Sequence, residues 1–145
     1  MTQSKNLFVA LDGSEPAFEA LDEARALAAS MGRELSALYV FAHQPHVSAT
    51  PAGLGDQSSP QELERASKSE SQQIFDEGES RAGLTFAQRH VLIGDPAEEI
   101  IAFMEDNPGT HLVMGRRGMS RIKALLMGSV SQKVLAHAPG LVTVV

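Results

Sequence analysis

Short apolar runs separated by stretches with helical spacing constrain this chain more than any other feature. Leu7-Phe8-Val9-Ala10-Leu11 has no polar position, the pattern of a strand covered on both faces. Similar runs follow at Glu34 to Phe41 (centred on Leu38-Tyr39-Val40), Thr85 to Ile93, Thr110 to Met114, and Leu141-Val142-Thr143-Val144-Val145. Between the first two, Phe18, Leu21, Ala24, Leu27 or Ala28, and Met31 recur at helical spacing, and Gly32 marks a stop. Ser59-Pro60-Gln61-Glu62 is a capping box with proline at the first helical position. It opens a mostly polar helix to about Ala82, with Leu63, Ala66, Ile74 and Phe75 as its main apolar positions. Asp95-Pro96-Ala97-Glu98 is a second box, and Ala97, Ile100, Ile101 and Met104 form the expected buried face before Asn107-Pro108-Gly109 breaks the helix. A last helix starts at Gly128-Ser129, with Val130, Val134, Leu135 and Ala138 in phase, and runs to about His137.

Strand-helix alternation ending on a strand specifies a parallel sheet, because parallel strands need crossover connections. The expected fold is α/β and Rossmann-like: a five-stranded open parallel sheet, order 3-2-1-4-5, with helices on both faces. At 145 residues the chain is expected to form one domain. Ligands of such sheets bind beyond the carboxyl ends of the strands, where strand order reverses. With that order, Asp12 at the end of the first strand and Gly115 at the end of the fourth share this edge.

The chemistry concentrates in residues 112–131. Leu112-Val113-Met114 ends a strand, Gly115 and Gly118 flank Arg116 and Arg117, and Gly128-Ser129 begins a helix. Glycines let the backbone approach an anion, and free N–H groups at a helix start face it. Arg116, Arg117, Arg121 and Lys123 form a basic island without an acid, in a chain of formal net charge −6. That contrast suggests a small anionic ligand. Ordinary joints between strand and helix also contain glycine, and solvated basic residues are common, so spacing alone leaves both readings open.

Composition excludes several classes. There is no cysteine, which removes disulfides, thiol catalysis and cysteine-ligated zinc. A pI near 5.3 opposes general nucleic-acid binding. The start of the sequence lacks signal-peptide character, and no apolar run approaches the ~20 residues needed to cross a bilayer, so a cytoplasmic location is expected. Residues 42–60 are rich in proline, glycine and serine and read as a long loop, a lid or binding segment or disordered. His43 and His46 within it lack a third ligand nearby, His111 reads as a structural residue beside the fourth strand, and His90 and His137 belong to no constellation. The apolar fifth strand has no sequence left to cover it. Exposed edges invite pairing, so a homodimer through 141–145 is expected, the alternative being a short strand tucked under a helix.

These residues resemble the universal stress protein family. The likeness rests on Gly115-x2-Gly118-x9-Gly128-Ser129, on Val9-Ala10-Leu11-Asp12-Gly13-Ser14, on Gly94-Asp95-Pro96, and on Gly-Ser-Val-Ser followed by Ala-Pro and the closing valine strand. It spans the chain in order, and the glycine spacing is the mark of ATP-binding members. The usual Cys-Pro near the end reads Gly140-Leu141 here. The resemblance implies ATP, with or without Mg2+, as cofactor. It implies that Asp12 takes the ribose hydroxyls, that Val40 borders adenine, and that Ala10 and Leu11 offer backbone contacts. Met114, Gly115, Arg117 and Gly118 would line the ribose and phosphate path. Gly128, Ser129, Val130 and Ser131 would close over the β and γ phosphates, with Ser129 and Ser131 as hydroxyl donors. Read without the family, Val40 and Met114 are core and Asp12 caps the first helix.

Three functions follow from this reading. The first is an ATP-binding regulatory module of the stress response, a homodimer or tetramer. The second is a slow ATPase or phosphotransfer enzyme. It lacks a Walker Gly-Lys-Ser/Thr and an acid in the glycine segment, which phosphoryl transfer would use for metal or water. The third is an interaction protein, such as a nucleotide-regulated partner of a membrane transport protein.

Overall fold

The computed structural model describes residues 6–42, 59–117 and 127–145. Gly118, Arg121, Lys123, His43, His46 and nearly all of the 42–60 loop lie outside the described residues.

The element order is β1 (Leu7–Leu11), α1 (Glu15–Met31), β2 (Leu35–Ala42), α2 (Pro60–Ala82), β3 (Arg89–Gly94), α3 (Pro96–Asp106), β4 (His111–Met114), α4 (Ser129–His137) and β5 (Leu141–Val144). All pairings are parallel and the order is β3-β2-β1-β4-β5, the one expected. Alternation along β1 divides the core. Leu7, Val9 and Leu11 pack with Leu35, Tyr39 and Val113 beneath Phe18 and Leu21 of α1 and Ile74 and Phe75 of α2. Phe8, Leu38, Leu112 and Met114 face the other way, onto Ala97, Ile100, Phe103 and Met104 of α3 and Val134 of α4. Both faces are therefore covered, which is why the strands show no polar alternation. Each large side chain fully buried in these layers contributes about 1.5–3 kcal/mol of transfer free energy.

Local signals place the helices. The Ser59–Glu62 box closes in both directions. At α3 the Asp95 carboxylate accepts from the Glu98 N–H at 3.0 Å. Gly32 ends α1 at φ 62°, a conformation glycine adopts without a Cβ penalty.

Packing corrects the reading in four places. The third strand starts at Arg89, not Thr85. The Phe86 N–H is taken by Glu79 at 2.8 Å and its ring is buried in the core, so the chain reaches β2 only with Ala87 and Gln88, whose backbones bond Leu35 and Ala37. On α2, Ala66 is exposed, and the buried side instead uses Ser67, Ser71 and Gly78. The serine hydroxyls turn back onto the Glu64 and Lys68 carbonyls, so they pack as small, satisfied groups. On α3, Phe103 is buried and Ile101 only partly so. On α4, Leu135 is 45% exposed; Val134 holds the inward position.

Candidate functional site

The chain leaves β1 for β2 and β3 on one side and returns to β4 on the other, so strand order reverses between β1 and β4. A cavity of about 680 Å³ opens at their carboxyl ends. That is within the usual range for a small-molecule site. Ala10, Leu38, Val40, Met114, Pro96, Ile100 and Val130 supply an apolar trough, and Asp12, Tyr39, Glu70, Arg117, Ser129 and Gln132 supply polar groups.

Each wall has a local cause. Gly13 at φ 83° turns the chain out of β1. The Asp12 Oδ1 accepts from both the backbone N–H and the hydroxyl of Ser14, while the Ser14 hydroxyl oxygen accepts from the Ala17 N–H and caps α1. Asp12 is thus the buttress of the cap, not the cap itself. Gly115 ends β4 against the first turn of α1: a Cβ there would lie 2.9 Å from the Pro16 carbonyl oxygen. Only glycine permits this approach.

The α4 end is built by a backbone clasp. The Gly128 N–H donates to the Arg116 carbonyl at 2.7 Å, and the Arg116 N–H donates to the Val145 carbonyl. The first intrahelical bond of α4 comes from Gln132 to Gly128, and among the described residues no side chain caps the helix. The N–H groups of Ser129, Val130 and Ser131 are therefore the orphan donors of a helix start, at the positive end of its dipole. Two of the roles implied above change. The Gly128 amide is committed to the clasp. The Ser131 hydroxyl donates to the Gly115 carbonyl at 2.8 Å and is buried, so its single proton is spent on joining α4 to β4. Ser131 offers the cavity its backbone amide.

Electrostatics divide the cavity. Tyr39 is 5% exposed, and its phenol pKa is pushed well above the ordinary value, chiefly by burial, then by the hydrogen bond and charge of Glu70 and the charge of Asp12. Arg117 and the uncapped start of α4 line the same cavity, and α4 packs on the face of the sheet opposite α2, which carries Glu70.

The profile of the universal stress protein family matches residues 3–145. The chain belongs to that family. A universal stress protein of Thermus aquaticus is 34% identical over 139 residues, covering 93% of each chain. One from Methanocaldococcus jannaschii is 31% identical over 142 residues, covering 95% of this chain and 81% of the relative. Among solved structures, a universal stress protein crystallised with cAMP superposes with a TM-score of 0.68 at 25% identity, covering 99% of this chain and 98% of the other.

Ala10, Leu11, Asp12, Val40, Met114, Gly115, Arg117, Gly128, Ser129, Val130 and Ser131 all line the cavity, and Gly118 lies outside the described residues. Tyr39, Glu70, Ile100 and Gln132 line it too, and sequence reasoning passed over them. Gln132 follows the Gly-Ser-Val-Ser run directly, and Tyr39 precedes Val40, so both were within reach. Glu70 carried no signal on so polar a helix. Two of the three described histidines have structural roles. His90 sits edge-on to Phe8 and Phe103. His111 bonds Thr143 at 2.7 Å through Nε2, and burial, then Arg33, pushes its pKa down.

Proposed function

We propose that this chain binds an adenine nucleotide, ATP with or without Mg2+, in the edge cavity, and acts as a regulatory module of a cytoplasmic stress response. The observation that carries the reading is the cavity's lining, which combines Arg117 and the uncapped amides at the start of α4 with the Asp12 carboxylate and an apolar trough. A nucleotide has the matching parts: an anionic tail, a hydroxyl-bearing ribose and a flat base. The intact glycine spacing and the cAMP complex of a relative at 25% identity support it. The same reading makes the protein a homodimer through β5, an outer strand whose Leu141 is 68% exposed, with tetramers and a transport-protein partner as further assembly.

Calorimetry with ATP, with and without Mg2+, tests the site. Ser129→Pro is the informative variant. Gly128 already has the extended backbone, φ −75° and ψ 164°, that precedes proline, and proline is tolerated at the first helical position. The change deletes one amide and one hydroxyl donor while sparing the helix. ATP affinity is expected to fall at least tenfold, and Ser129→Ala, which keeps the amide, to lose less. No heat with the unmodified protein at high concentration defeats the reading.

A further inference from the structure

The position of Glu70 is set by Ile74, one turn further along α2. A methyl group on Gly13 would lie 3.5 Å from Ile74 Cδ1, so α2 crosses the turn that leaves β1. Residues four apart share a helix face, and Glu70 lines the cavity together with Asp12 and Tyr39. Burial first, and then Glu70 and the charge of Asp12, hold the Tyr39 phenol pKa above its ordinary value. Among the described residues, neither Asp12 nor Glu70 has an ion-pair partner. Among the described residues the cavity therefore carries two carboxylates without an ion-pair partner beside a phenol, and it is lined as well by Arg117 and the start of α4.

We propose that Glu70 is a specificity-determining residue: with Asp12 it forms a two-carboxylate wall that favours nucleotides with free ribose hydroxyls over those carrying a dianionic phosphomonoester at the 2′ or 3′ position. The inference rests on the nucleotide reading above. The anionic tail is drawn to Arg117 and α4, which leaves the ribose beside the carboxylates. Hydroxyls there donate to carboxylates. A phosphate there meets like charge. At a separation of about 6 Å and an effective dielectric of about 40, one pair of unit like charges weakens binding about tenfold.

The test is calorimetry on the full chain with two probes, AMP and adenosine 3′,5′-bisphosphate, which share the base and the 5′-phosphate. The unmodified protein is expected to prefer AMP at least tenfold. Glu70→Gln keeps the side chain's shape and removes its charge. It is expected to tighten the bisphosphate and to loosen AMP, so that the preference falls about tenfold. Glu70→Asp, which keeps the charge, is expected to retain the preference. A purely structural role would move both ligands in one direction, and that result, or an unchanged ratio, overturns the assignment while leaving nucleotide binding intact. If the unmodified protein binds neither probe, the nucleotide reading falls and takes this inference with it.

Discussion

Gly115→Ala tests whether the end of β4 is fixed by close approach rather than by backbone conformation. A Cβ at this position would lie 2.9 Å from the Pro16 carbonyl oxygen, 3.0 Å from its carbonyl carbon and 3.3 Å from the Ala17 nitrogen. These are main-chain atoms in the first turn of α1, held by the Ser14 cap, and they cannot swing aside as a side-chain tip would. To reach ordinary contact, α1 and β4 must separate by about half an ångström. Such overpacking typically costs about 1–3 kcal/mol. The shift also strains the Ser131–Gly115 hydrogen bond, a further ~1 kcal/mol. With unfolding entropy near 2.1 cal/mol/K per residue, a chain of this length loses roughly 3 °C of melting temperature per kcal/mol. The expected fall is about 6–12 °C, read by calorimetry, with weaker ATP binding because the cavity floor moves. Gly83→Ala is the control. Its φ is 65° and nothing lies within 4 Å of its Cβ, so only the left-handed conformation is penalised, by about 1–2 kcal/mol. If Gly115→Ala melts within about 2 °C of the unmodified protein by the same scale, the close-approach argument is wrong.

Ser131→Ala leaves the Gly115 carbonyl without its donor and is expected to cost about 1–3 kcal/mol, measured by urea unfolding; a neutral outcome would mean that the bond is not formed in solution. Tyr39 is the only tyrosine, so phenolate absorbance reports it directly. With its pKa raised in the fold, the stability it contributes is complete below its unfolded value of about 10 and drains away as pH climbs towards the folded value. The native chain should show no phenolate near pH 10, the urea-unfolded chain should show it, and Tyr39→Phe should flatten the alkaline loss of stability. Leu141→Glu places a charge on the exposed outer strand and should shift the mass seen by light scattering from dimer to monomer; an unchanged dimer would place the interface elsewhere.

The sheet was legible because parallel strands buried on both faces read as unbroken apolar runs, and because the helices between them carry explicit start and stop residues. The meeting of Asp12 and Gly115 at one edge followed once the order 3-2-1-4-5 was assumed, and that order is the one found. Periodicity failed where polarity and burial part company. Ser67 and Ser71 are buried because their hydroxyls satisfy themselves on their own helix, and no hydropathy pattern reveals that. Phe86 is core yet precedes the β3 ladder, since Glu79 captures its amide. The glycine and serine positions of the site were visible through their spacing, but their bonding was not. Ser131 looks like a donor awaiting a ligand until α4 is seen to lie against β4. Glu70 reaches the cavity only because α2 crosses Gly13, a tertiary fact without a local trace.

The clasp between Gly128 and Arg116 uses main-chain atoms alone, so it makes no demand on the identity of the side chains in the segment it closes. Lengthening a tethered segment is cheap, about 0.6 kcal/mol for each doubling. Insertion, deletion or grafting between residues 117 and 127 is therefore expected to leave β4 and α4 in register, joined by the clasp. For a designer this is an exchangeable cartridge on a fixed mount: sequence can be changed there without renegotiating the stability of the sheet.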